Sequence, residues 1–478
     1  MSISAVACDL VFWNPLRVRI THLNPDEGIG ASCWLASLNG HNLLLDAGTH
    51  PGRVGLEILP LLDSVKDVEV DAIALSHCHL DHVGALPVAL RYFPQAPVFM
   101  TVPSYFLVER VLHNSVNVMV RQRDENGIKG YPLFSHEEVD EYAAVFQGIP
   151  YRKEISWGRM ASKTAGPTLE FFDAGHTLGS AGVLVKSGKS SLFYSGDVCF
   201  HDQTLLRGAR FDEVKADTLI LESTRGNHAV APGFTRQDEL DRLEETLQSV
   251  LSRNGPVLIP AFGLGRTQEI LAFLALLMQK GKIRRQPVYI GGLGRVFTEI
   301  YDLQAKGTHR SHPKLRLTEA LQLTVLSGRE VESIGLNGPK IFVMTAGMMT
   351  ENTGSHTLAM RMLENPRAGI CFVGYTDPES PAGRLRAAAP GQEFLFSAGA
   401  GHIRRRCRVE TFDLTAHALR EDLVDWVEQM GPKTVVLGHG EPEARQWMAA
   451  EISARLPKVR ILQPVRGETV ECSAARSA

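Results

Sequence analysis

Short apolar runs that end in turn residues fill the first part of the chain. The run at 18–22, for example, leads into Asn24-Pro25, a pair that favours a turn. This pattern predicts strands over 18–22, 32–38, 42–45, 68–75, 169–172 and 192–194. Only between 84 and 92 does the apolar spacing become helical.

After residue 215 strands and helices alternate. Strands are predicted over 218–221, 257–260, 288–290, 341–344 and 370–373, with helices over 237–253, 267–280, 295–306 and 356–365. Such alternation predicts a parallel sheet flanked by helices. The last stretch returns to the earlier pattern, with strands at 407–412 and 434–437 and helices at 419–430 and 442–454. The simplest interpretation is one α/β domain inserted into a loop of another.

Composition excludes few functions. The 478 residues are 44% hydrophobic and carry a net charge of −3, which is ordinary for a globular protein with a sizeable core. The chain has no overall positive charge, which argues against a protein that coats long nucleic acid. The chain shows neither an N-terminal leader nor a run of 18 apolar residues, so a cytoplasmic protein without a membrane partner is predicted.

The seven cysteines give no sign of a structural role. They are scattered, odd in number and never in a C-x-x-C pair. This argues against a disulfide framework and against a cysteine zinc knuckle.

The most informative segment is 76–82, an H-x-H-x-D-H cluster that follows a predicted strand. Residues two apart in an extended chain point the same way, so His77 and His79 can bind one ion. The turn that follows directs Asp81 and His82 towards a second ion. Imidazole nitrogens and carboxylates suit zinc. With 17 His and 53 acidic residues in 478 positions, the cluster arises by chance on the order of once in several hundred sequences.

Three further polar residues each follow a predicted strand. They are His176 in Ala-Gly-His-Thr, Asp197 in Ser-Gly-Asp and His439 in Gly-His-Gly. Taken alone, each is more often structural than catalytic. Together they supply the remaining ligands that a two-metal site requires.

These segments resemble the successive motifs of the metallo-β-lactamase superfamily, including its early Leu-Leu-Asp-Ala-Gly turn at Asp46. The resemblance implies an αββα sandwich. It also implies two zinc ions per chain, the first held by His77, His79 and His176, the second by Asp81, His82 and His439, and both by a bridging Asp197. By the same resemblance Asp46 orients ligands and does not bind metal itself.

The middle of the chain carries a second ordered set of segments, at 221–224, 260–269, 346–348, 373–375 and 415–418. This set resembles the β-CASP nucleases, the branch that includes the pre-mRNA 3′-end processing endonuclease, and most closely its bacterial members that end in His-Gly-Glu. The likeness runs from about 28 to about 467. It implies a sandwich domain in two parts, 1–213 and 401–478, with an inserted β-CASP domain over 214–400.

Within that resemblance Glu222 matches the first β-CASP motif, His417 the second and His439 the third. A carboxylate beside an imidazole raises the pKa of the imidazole. A protonated His417 can then stabilise the scissile phosphate or donate its proton to the leaving oxygen. Taken alone, Glu222 is more readily interpreted as a surface salt bridge, and its place in the ordered set changes that preference.

The combined prediction is a zinc-dependent ribonuclease that cuts single-stranded RNA internally or from its 5′ end, with hydroxide activated by two metals. The alternative is a DNA nuclease or a small-molecule phosphodiesterase on the same metal site. A non-catalytic scaffold subunit ranks last, because all seven ligand positions are filled. A homodimer is left open.

The loop after Tyr375 departs from the family, which has a Gly-Thr-bearing loop there. Two prolines and the acids Asp377 and Glu379 occupy it, and Glu351 stands where the family tends to have glycines. Such acids would repel a phosphate chain, which favours a short substrate or a partner.

Basic residues leave two questions open. Arg404, Arg405, Arg406 and Arg408 either contact nucleic acid or form a solvated strand end, the commoner case. Arg266 and Arg295 either face the cleft between domains or pack against Glu269 and Glu299.

Overall fold

The computed structural model describes residues 18–158 and 166–472. Its strands are β1 (Val18–His22), β2 (Trp34–Leu38), β3 (His41–Leu45), β4 (Ala72–Ala74), β5 (Val98–Thr101), β6 (Phe146–Ile149), β7 (Ile155–Ser156), β8 (Thr168–Asp173), β9 (Ala181–Ser187), β10 (Ser190–Tyr194), β11 (Thr218–Glu222), β12 (Pro256–Ala261), β13 (Val288–Gly291), β14 (Leu323–Leu326), β15 (Lys340–Thr345), β16 (Gly369–Phe372), β17 (Glu393–Ser397), β18 (Gly401–Arg404), β19 (Arg408–Thr411), β20 (Thr434–Gly438), β21 (Arg460–Leu462) and β22 (Thr469–Glu471).

The helices are α1 (Leu80–Val83), α2 (Leu86–Tyr92), α3 (Val102–Asn126), α4 (His136–Tyr142), α5 (Arg236–Ser252), α6 (Arg266–Gln279), α7 (Gly292–Leu303), α8 (Leu317–Ala320), α9 (Gly328–Ser333), α10 (Gly354–Met362), α11 (Pro381–Ala387), α12 (Arg420–Met430) and α13 (Pro442–Arg455). The N-terminal segment in which we expected no leader, Cys8 and the tail after Cys472 lie outside the described residues.

Two mixed sheets of seven strands form a sandwich. Their strand orders are β22-β1-β2-β3-β4-β5-β6 and β21-β20-β11-β10-β9-β8-β7. The facing sides share one apolar core, in which Ile20 and Trp34 of the first sheet meet Phe171 and Leu192 of the second. Full burial of one such side chain contributes about 1.5–3 kcal/mol, so this shared core holds the two sheets together.

Helices cover the outer face of each sheet. Leu86, Leu107 and Val139 of α2, α3 and α4 pack over the first sheet. Leu423 of α12 and Met448 of α13 pack over the second. The predicted αββα sandwich is therefore confirmed.

The segment between β11 and α12 forms a third, wholly parallel sheet in the order β14-β13-β15-β12-β16-β19. Helices α5, α6 and α7 contribute to the core on one face, and α10 and α11 to the core on the other. Every residue of the central strand β12 is buried, as a strand covered on both faces requires. In parallel sheets of this kind, ligands bind outside the carboxyl ends of the strands.

Two predicted strands differ from the structure. The strand expected over 68–75 is only β4, because its ladder with β3 holds three residue pairs. The strand expected over 407–412 exists as β19, but it pairs with β16 in the sheet of the insert. The boundary after residue 400 had assigned it to the returning part of the sandwich. The pattern of one strand does not reveal which sheet it joins.

Helix α3 was not predicted, although its ends carry clear signals. Thr101 caps it by accepting a hydrogen bond from the Ser104 N–H, Pro103 lies in its first turn, and Gly127 ends it at a φ of 66°. None of the described helices is both long and apolar enough to cross a membrane. The described cysteines are free and buried, namely Cys33, Cys78, Cys199, Cys371, Cys407 and Cys472.

Candidate metal centre

The predicted ligands meet because each follows the carboxyl end of a strand in one of the two sandwich sheets. His77 and His79 follow β4, His176 follows β8, Asp197 follows β10, and His439 follows β20. The short helix α1, directly after His79, adds Asp81 and His82. Gly48 permits this arrangement, because a side chain there would overlap the Asp81 carbonyl oxygen.

The first group comprises His77, His79, His176 and Asp197, whose ligand atoms all lie within 4.8 Å of one another. The His79 Nδ1 atom is 3.1 Å from His77 Nε2 and 3.1 Å from His176 Nε2. Nitrogens bound tetrahedrally at the usual zinc distance are roughly 3.3 Å apart. The spacing of these imidazoles therefore suits a single metal ion.

The second group comprises Asp81, His82 and His439. The Nε2 atom of His439 is 3.2 Å from His82 Nε2 and 3.3 Å from Asp81 Oδ2. Two imidazoles and a carboxylate again form a donor set of the kind that zinc prefers.

Asp197 faces both groups. Its Oδ2 atom is 3.7 Å from the Nε2 atoms of His77 and His176, while its Oδ1 atom is 3.3 Å from His82 Nε2 and His439 Nδ1. Oδ1 is also buried without a hydrogen-bond partner in the described structure. A buried, unpaired carboxylate oxygen among imidazoles is what a cation site requires.

Hydrogen bonds determine which ring nitrogen each histidine can offer to a metal. The opposite nitrogen is held in three cases, by bonds from His82 Nδ1 to Asp46 Oδ2 (2.7 Å), from His176 Nδ1 to the Ala416 carbonyl (2.8 Å) and from His79 Nε2 to the Leu264 carbonyl (3.2 Å). The free nitrogens are those that face the other members of each group.

Asp46 lies behind the second group, fully buried and at a φ of 60°. Its carboxylate accepts from His82 Nδ1, from Tyr194 Oη at 2.7 Å, and from both the N–H and the hydroxyl of Ser76 at 2.6 Å. None of these hydrogen bonds joins Asp46 to Asp197 or to a nitrogen atom that faces the metal groups. Its position suits an orienting role.

Glu222 and His417 form a pair beside the first group. His417 Nδ1 is 3.2 Å from Glu222 Oε2, and Glu222 Oε1 accepts a 2.6 Å bond from the N–H of Val198, next to Asp197. The rings of His417 and His176 are 4.6 Å apart. Because Glu222 occupies Nδ1, the Nε2 atom of His417 is the one left to act on a substrate.

Electrostatics divide the site into neutral and charged groups. Burial lowers the pKa of His77 and His176 well below its usual value, which keeps both rings neutral and able to donate a lone pair. Burial raises the pKa of Asp197, but His439 and His82 outweigh it and hold the pKa well below the usual range. Burial lowers the pKa of His417, yet the Glu222 carboxylate outweighs it and the net pKa is raised.

The sequence did not reveal the residues, some of them in the insert, whose hydrogen bonds fix the loop that carries His176. The side-chain amide of Gln203 donates to the carbonyls of Gly175 (2.7 Å) and His176 (3.1 Å), and its oxygen accepts from Arg266 (2.5 Å). Tyr301 Oη accepts from the N–H of Leu178 at 3.1 Å. No local motif marks such residues, because their partners lie far away in the chain.

The two open questions about arginines have different answers. Arg295 pairs with Glu299 at 2.7 Å, as the plainer interpretation expected. Arg266 lines a cleft and bonds Gln203, whereas Glu269 accepts the N–H groups of Leu205 and Leu206. In the 404–408 run, Arg404 faces Glu393, Arg405 is buried against backbone carbonyls and Arg408 faces Glu410. These three are thus engaged within the protein.

The chain also matches known protein families. Three family models match consecutive parts of the chain: the metallo-beta-lactamase superfamily over 27–249, the Beta-Casp domain over 267–385, and the Zn-dependent metallo-hydrolase RNA specificity domain over 402–464. The fold and the His/Asp cluster thus define the class, a metallo-hydrolase of the metallo-β-lactamase type. The chain belongs to the β-CASP family of that superfamily.

Several curated proteins are similar over most of the chain. "Probable RNase MJ4" of Methanocaldococcus jannaschii is 30% identical over 86% of this chain and 91% of its own length. "Ribonuclease TTHA0252" of Thermus thermophilus is 29% identical over 89% of this chain and 94% of its own. "Cleavage and polyadenylation specificity factor subunit 3" of Dictyostelium discoideum is 26% identical over 95% of this chain, which spans 57% of that longer protein.

Among solved structures, a protein of unknown function from Enterococcus faecalis matches 95% of this chain and 100% of its own. The TM-score is 0.55 and the sequence identity is 14%. This likeness supports the fold alone.

Proposed function

We propose that the protein is a zinc-dependent ribonuclease that hydrolyses phosphodiester bonds of single-stranded RNA. The observation that supports this most is the position of Asp197. Its two carboxylate oxygens face separate groups of imidazoles, at 3.7 Å and 3.3 Å, beside the pair formed by His417 and Glu222. A carboxylate shared by two groups of imidazoles, with a proton donor at its edge, suits hydrolysis by two metal ions.

We assign two zinc ions to these groups. The first would be held by His77, His79 and His176, the second by Asp81, His82 and His439, and Asp197 would bridge them. The donor set fits, because imidazoles and carboxylates are ligands that zinc prefers, and hydrogen bonds already orient His79, His82 and His176. Zinc ions bound there would supply Lewis-acid stabilisation of phosphoryl oxygens and would lower the pKa of bound water from 15.7 to about 7.

The residues of the chain perform the rest of the reaction. Asp46 keeps His82 in the tautomer that presents Nε2. Glu222 holds His417 by Nδ1 and favours its protonated form. His417 Nε2 is then placed to donate a hydrogen bond to the scissile phosphate, and to pass its proton to the oxygen that leaves. No side chain is required as a nucleophile.

RNA is preferred over DNA for two reasons. The model of the RNA specificity domain matches 402–464, which includes His417 and His439. The relatives from Methanocaldococcus jannaschii and Thermus thermophilus, whose lengths this chain nearly matches, are named as ribonucleases. A cytoplasmic location stays a prediction from the sequence, and a homodimer stays open.

Cleavage of matched oligonucleotides tests the proposal. The zinc-loaded protein is incubated with single-stranded RNA and with DNA of the same sequence, beside the His77→Ala/Asp81→Ala double variant. We expect RNA to be cut by the wild type only, with about two zinc ions per chain, as a dinuclear site requires. Circular dichroism of the double variant shows that its fold is intact.

Each other outcome selects an alternative. DNA cleavage as fast as RNA cleavage would favour a DNA nuclease. Bound zinc without cleavage of either polymer would favour a small phosphodiesterase. RNA cleavage that persists in the metal-free double variant would exclude the mechanism altogether.

A further inference from the structure

A cleft at the carboxyl edge of the parallel sheet lies outside the metal groups. It is partly open to solvent and holds about 10 Å³ of space that water can enter, and Phe262, Arg266, Gly347, Gly374 and Tyr375 are among the residues that line it. These residues follow the neighbouring strands β12, β15 and β16. This edge is where parallel α/β sheets bind their ligands.

The cleft adjoins the metal centre through one short turn. Leu264 lies between Phe262 and Arg266, and its carbonyl accepts the hydrogen bond from His79 Nε2 at 3.2 Å. A chain of nucleotides whose scissile phosphate lies at the metal groups therefore has the cleft within its immediate reach.

Arg266 lines the cleft with a positive charge that the nearby Glu269 carboxylate partly balances. The residue is 6% exposed, and its Nη1 atom is buried without a hydrogen-bond partner among the described residues. Its Nη2 atom donates to the uncharged amide of Gln203, and Glu269 is occupied by the backbone N–H groups of Leu205 and Leu206. Arg266 also begins helix α6, where the helix dipole adds positive potential. An anion is the partner that this arrangement lacks.

Two large aromatic side chains flank the same cleft and are unusually exposed. Phe262 is 42% exposed and Tyr375 is 67% exposed. Gly374 leaves room beside them, because a Cβ atom there would meet nothing within 4 Å. Exposed aromatic rings next to an arginine form the usual platform for unpaired nucleobases.

Charge orients the occupant. Tyr375 lies near two carboxylates, of Asp377 and Glu441, and near one guanidinium, of Arg386. The arginine end carries the charges of Arg266 and Arg236 against the carboxylate of Glu269. The other acids of this region are engaged locally, since Glu351 accepts the N–H of Gly399 at 2.8 Å. A phosphate is favoured at Arg266 and an uncharged base at Tyr375.

We propose that this cleft is a nucleotide subsite, in which Phe262 and Tyr375 stack on one base of single-stranded RNA and Arg266 binds its phosphate. The inference deepens the proposed function and rests on it for the identity of the polymer. It gives the loop after Tyr375 a role in substrate binding.

Binding of single-stranded RNA tests the subsite. Fluorescence anisotropy is measured in the slowly cleaving His417→Ala background, with Phe262→Ala and Tyr375→Ala compared in turn. We expect Kd to rise roughly fivefold or more in each, as expected for the loss of one stacked base. Phe106→Ala is the matched control, because Phe106 is 48% exposed and does not line the cleft. Wild-type Kd in both cleft variants would overturn the proposal.

An abasic scan identifies the base. RNAs that lack one base at successive positions should include one that binds the His417→Ala protein as weakly as intact RNA binds the Phe262→Ala variant. At that position Phe262→Ala should cause no further loss. Additive losses at every position would mean that Phe262 contacts no base.

Further variants test the phosphate and the space. Adenosine 5′-monophosphate should compete with RNA better than adenosine does, and Arg266→Gln should remove that difference. Gly374→Leu should fill the cleft and weaken RNA binding, because its backbone needs no positive φ. A monophosphate advantage that persists in Arg266→Gln would assign the phosphate elsewhere and overturn that part of the proposal.

The two proposals fail separately. If the protein cleaves RNA while both aromatic variants keep wild-type Kd and KM, the subsite is wrong and the ribonuclease stands. If no RNA is cleaved while the variants still lose nucleotide affinity, the ribonuclease is wrong and the subsite stands.

Discussion

The metal groups and the neighbouring cleft of the insert differ in character, and we call them the metal wall and the insert wall. On the metal wall, Asp46 accepts four hydrogen bonds, and the histidines use one nitrogen each to hold their own orientation. On the wall formed by the insert, Phe262 and Tyr375 are exposed, and the Nη1 atom of Arg266 has no hydrogen-bond partner in the part of the chain that the structure describes. The metal wall is therefore organised before a substrate arrives, whereas the other wall completes its contacts only with a substrate.

This difference indicates that the metal wall performs the chemistry and the insert wall recognises the substrate. Fixed donors stabilise a transition state without reorganisation, which affects kcat. Exposed rings and a guanidinium contribute binding energy that is made in the ground state as well, which affects KM. Variants of the metal wall should thus lower kcat or metal affinity, and variants of the insert wall should raise KM.

The largest effect short of removing the metals is expected for His417→Ala. Loss of a general acid typically costs 10²–10⁴-fold, so kcat should fall by roughly a hundredfold or more. Zinc content should stay at the wild-type value, because we assign His417 to a pair with Glu222 and all seven assigned ligands remain. His417 also lies close enough to Asp197 and Glu222 for these three to hold an ion, so the zinc content tests its role. Steady-state kinetics and elemental analysis measure both quantities. A change in KM without a change in kcat would contradict the assignment of His417 to catalysis. Loss of zinc would show that His417 is a metal ligand.

The structure brings together the residues that the sequence singled out as ligands, and metal binding by them stays a prediction. Every predicted ligand lies in one of the two groups or beside Asp197, because the H-x-H-x-D-H cluster and the strand-end residues are local signals. The sequence did not predict Gln203 or the Leu264 carbonyl, whose partners His176 and His79 are far away in the chain. Such contacts depend on how the insert packs against the sandwich, which no local pattern encodes.

The fold shows the same division. The strands and helices of the insert follow the predicted alternation, since periodicity reports which faces are buried. Strand β19 was predicted to belong to the sandwich, but it pairs with β16 in the sheet of the insert, because strand pairing is a long-range property. The acids Asp377 and Glu379 of the loop, and Glu351 nearby, were expected to disfavour a phosphate chain. In the structure Glu351 accepts the N–H of Gly399 and Asp377 accepts that of Glu379, contacts that the sequence did not predict.

A smaller effect is expected for Asp46→Asn. The amide would turn an N–H towards the donors Ser76 and Tyr194, and would hold His82 less firmly. Loss of such a partner typically lowers metal affinity 10–100-fold. Zinc competition with a chromophoric chelator measures it. Asp26→Asn is the control, because Asp26 also pairs with a histidine, His50, at 3.0 Å but away from the metal groups. Equal zinc affinity in both variants would contradict a fixed metal wall.

The smallest effect is expected on the free energy of unfolding, to which a buried acid near the metal wall contributes. Asp173 ends β8, three residues before His176, and burial raises its pKa to about 7. Its neutral form is favoured in the folded chain, so its stabilising contribution is complete below pH 4 and is lost as pH rises through 7. Asp173→Asn should therefore gain, relative to the wild type, on the order of 2 kcal/mol in unfolding free energy between pH 5 and pH 8. Urea unfolding at both pH values measures this, with the exposed Asp212→Asn as control. A difference that does not change with pH would mean that Asp173 is ionised in the folded protein, and that the metal wall is organised without this cost.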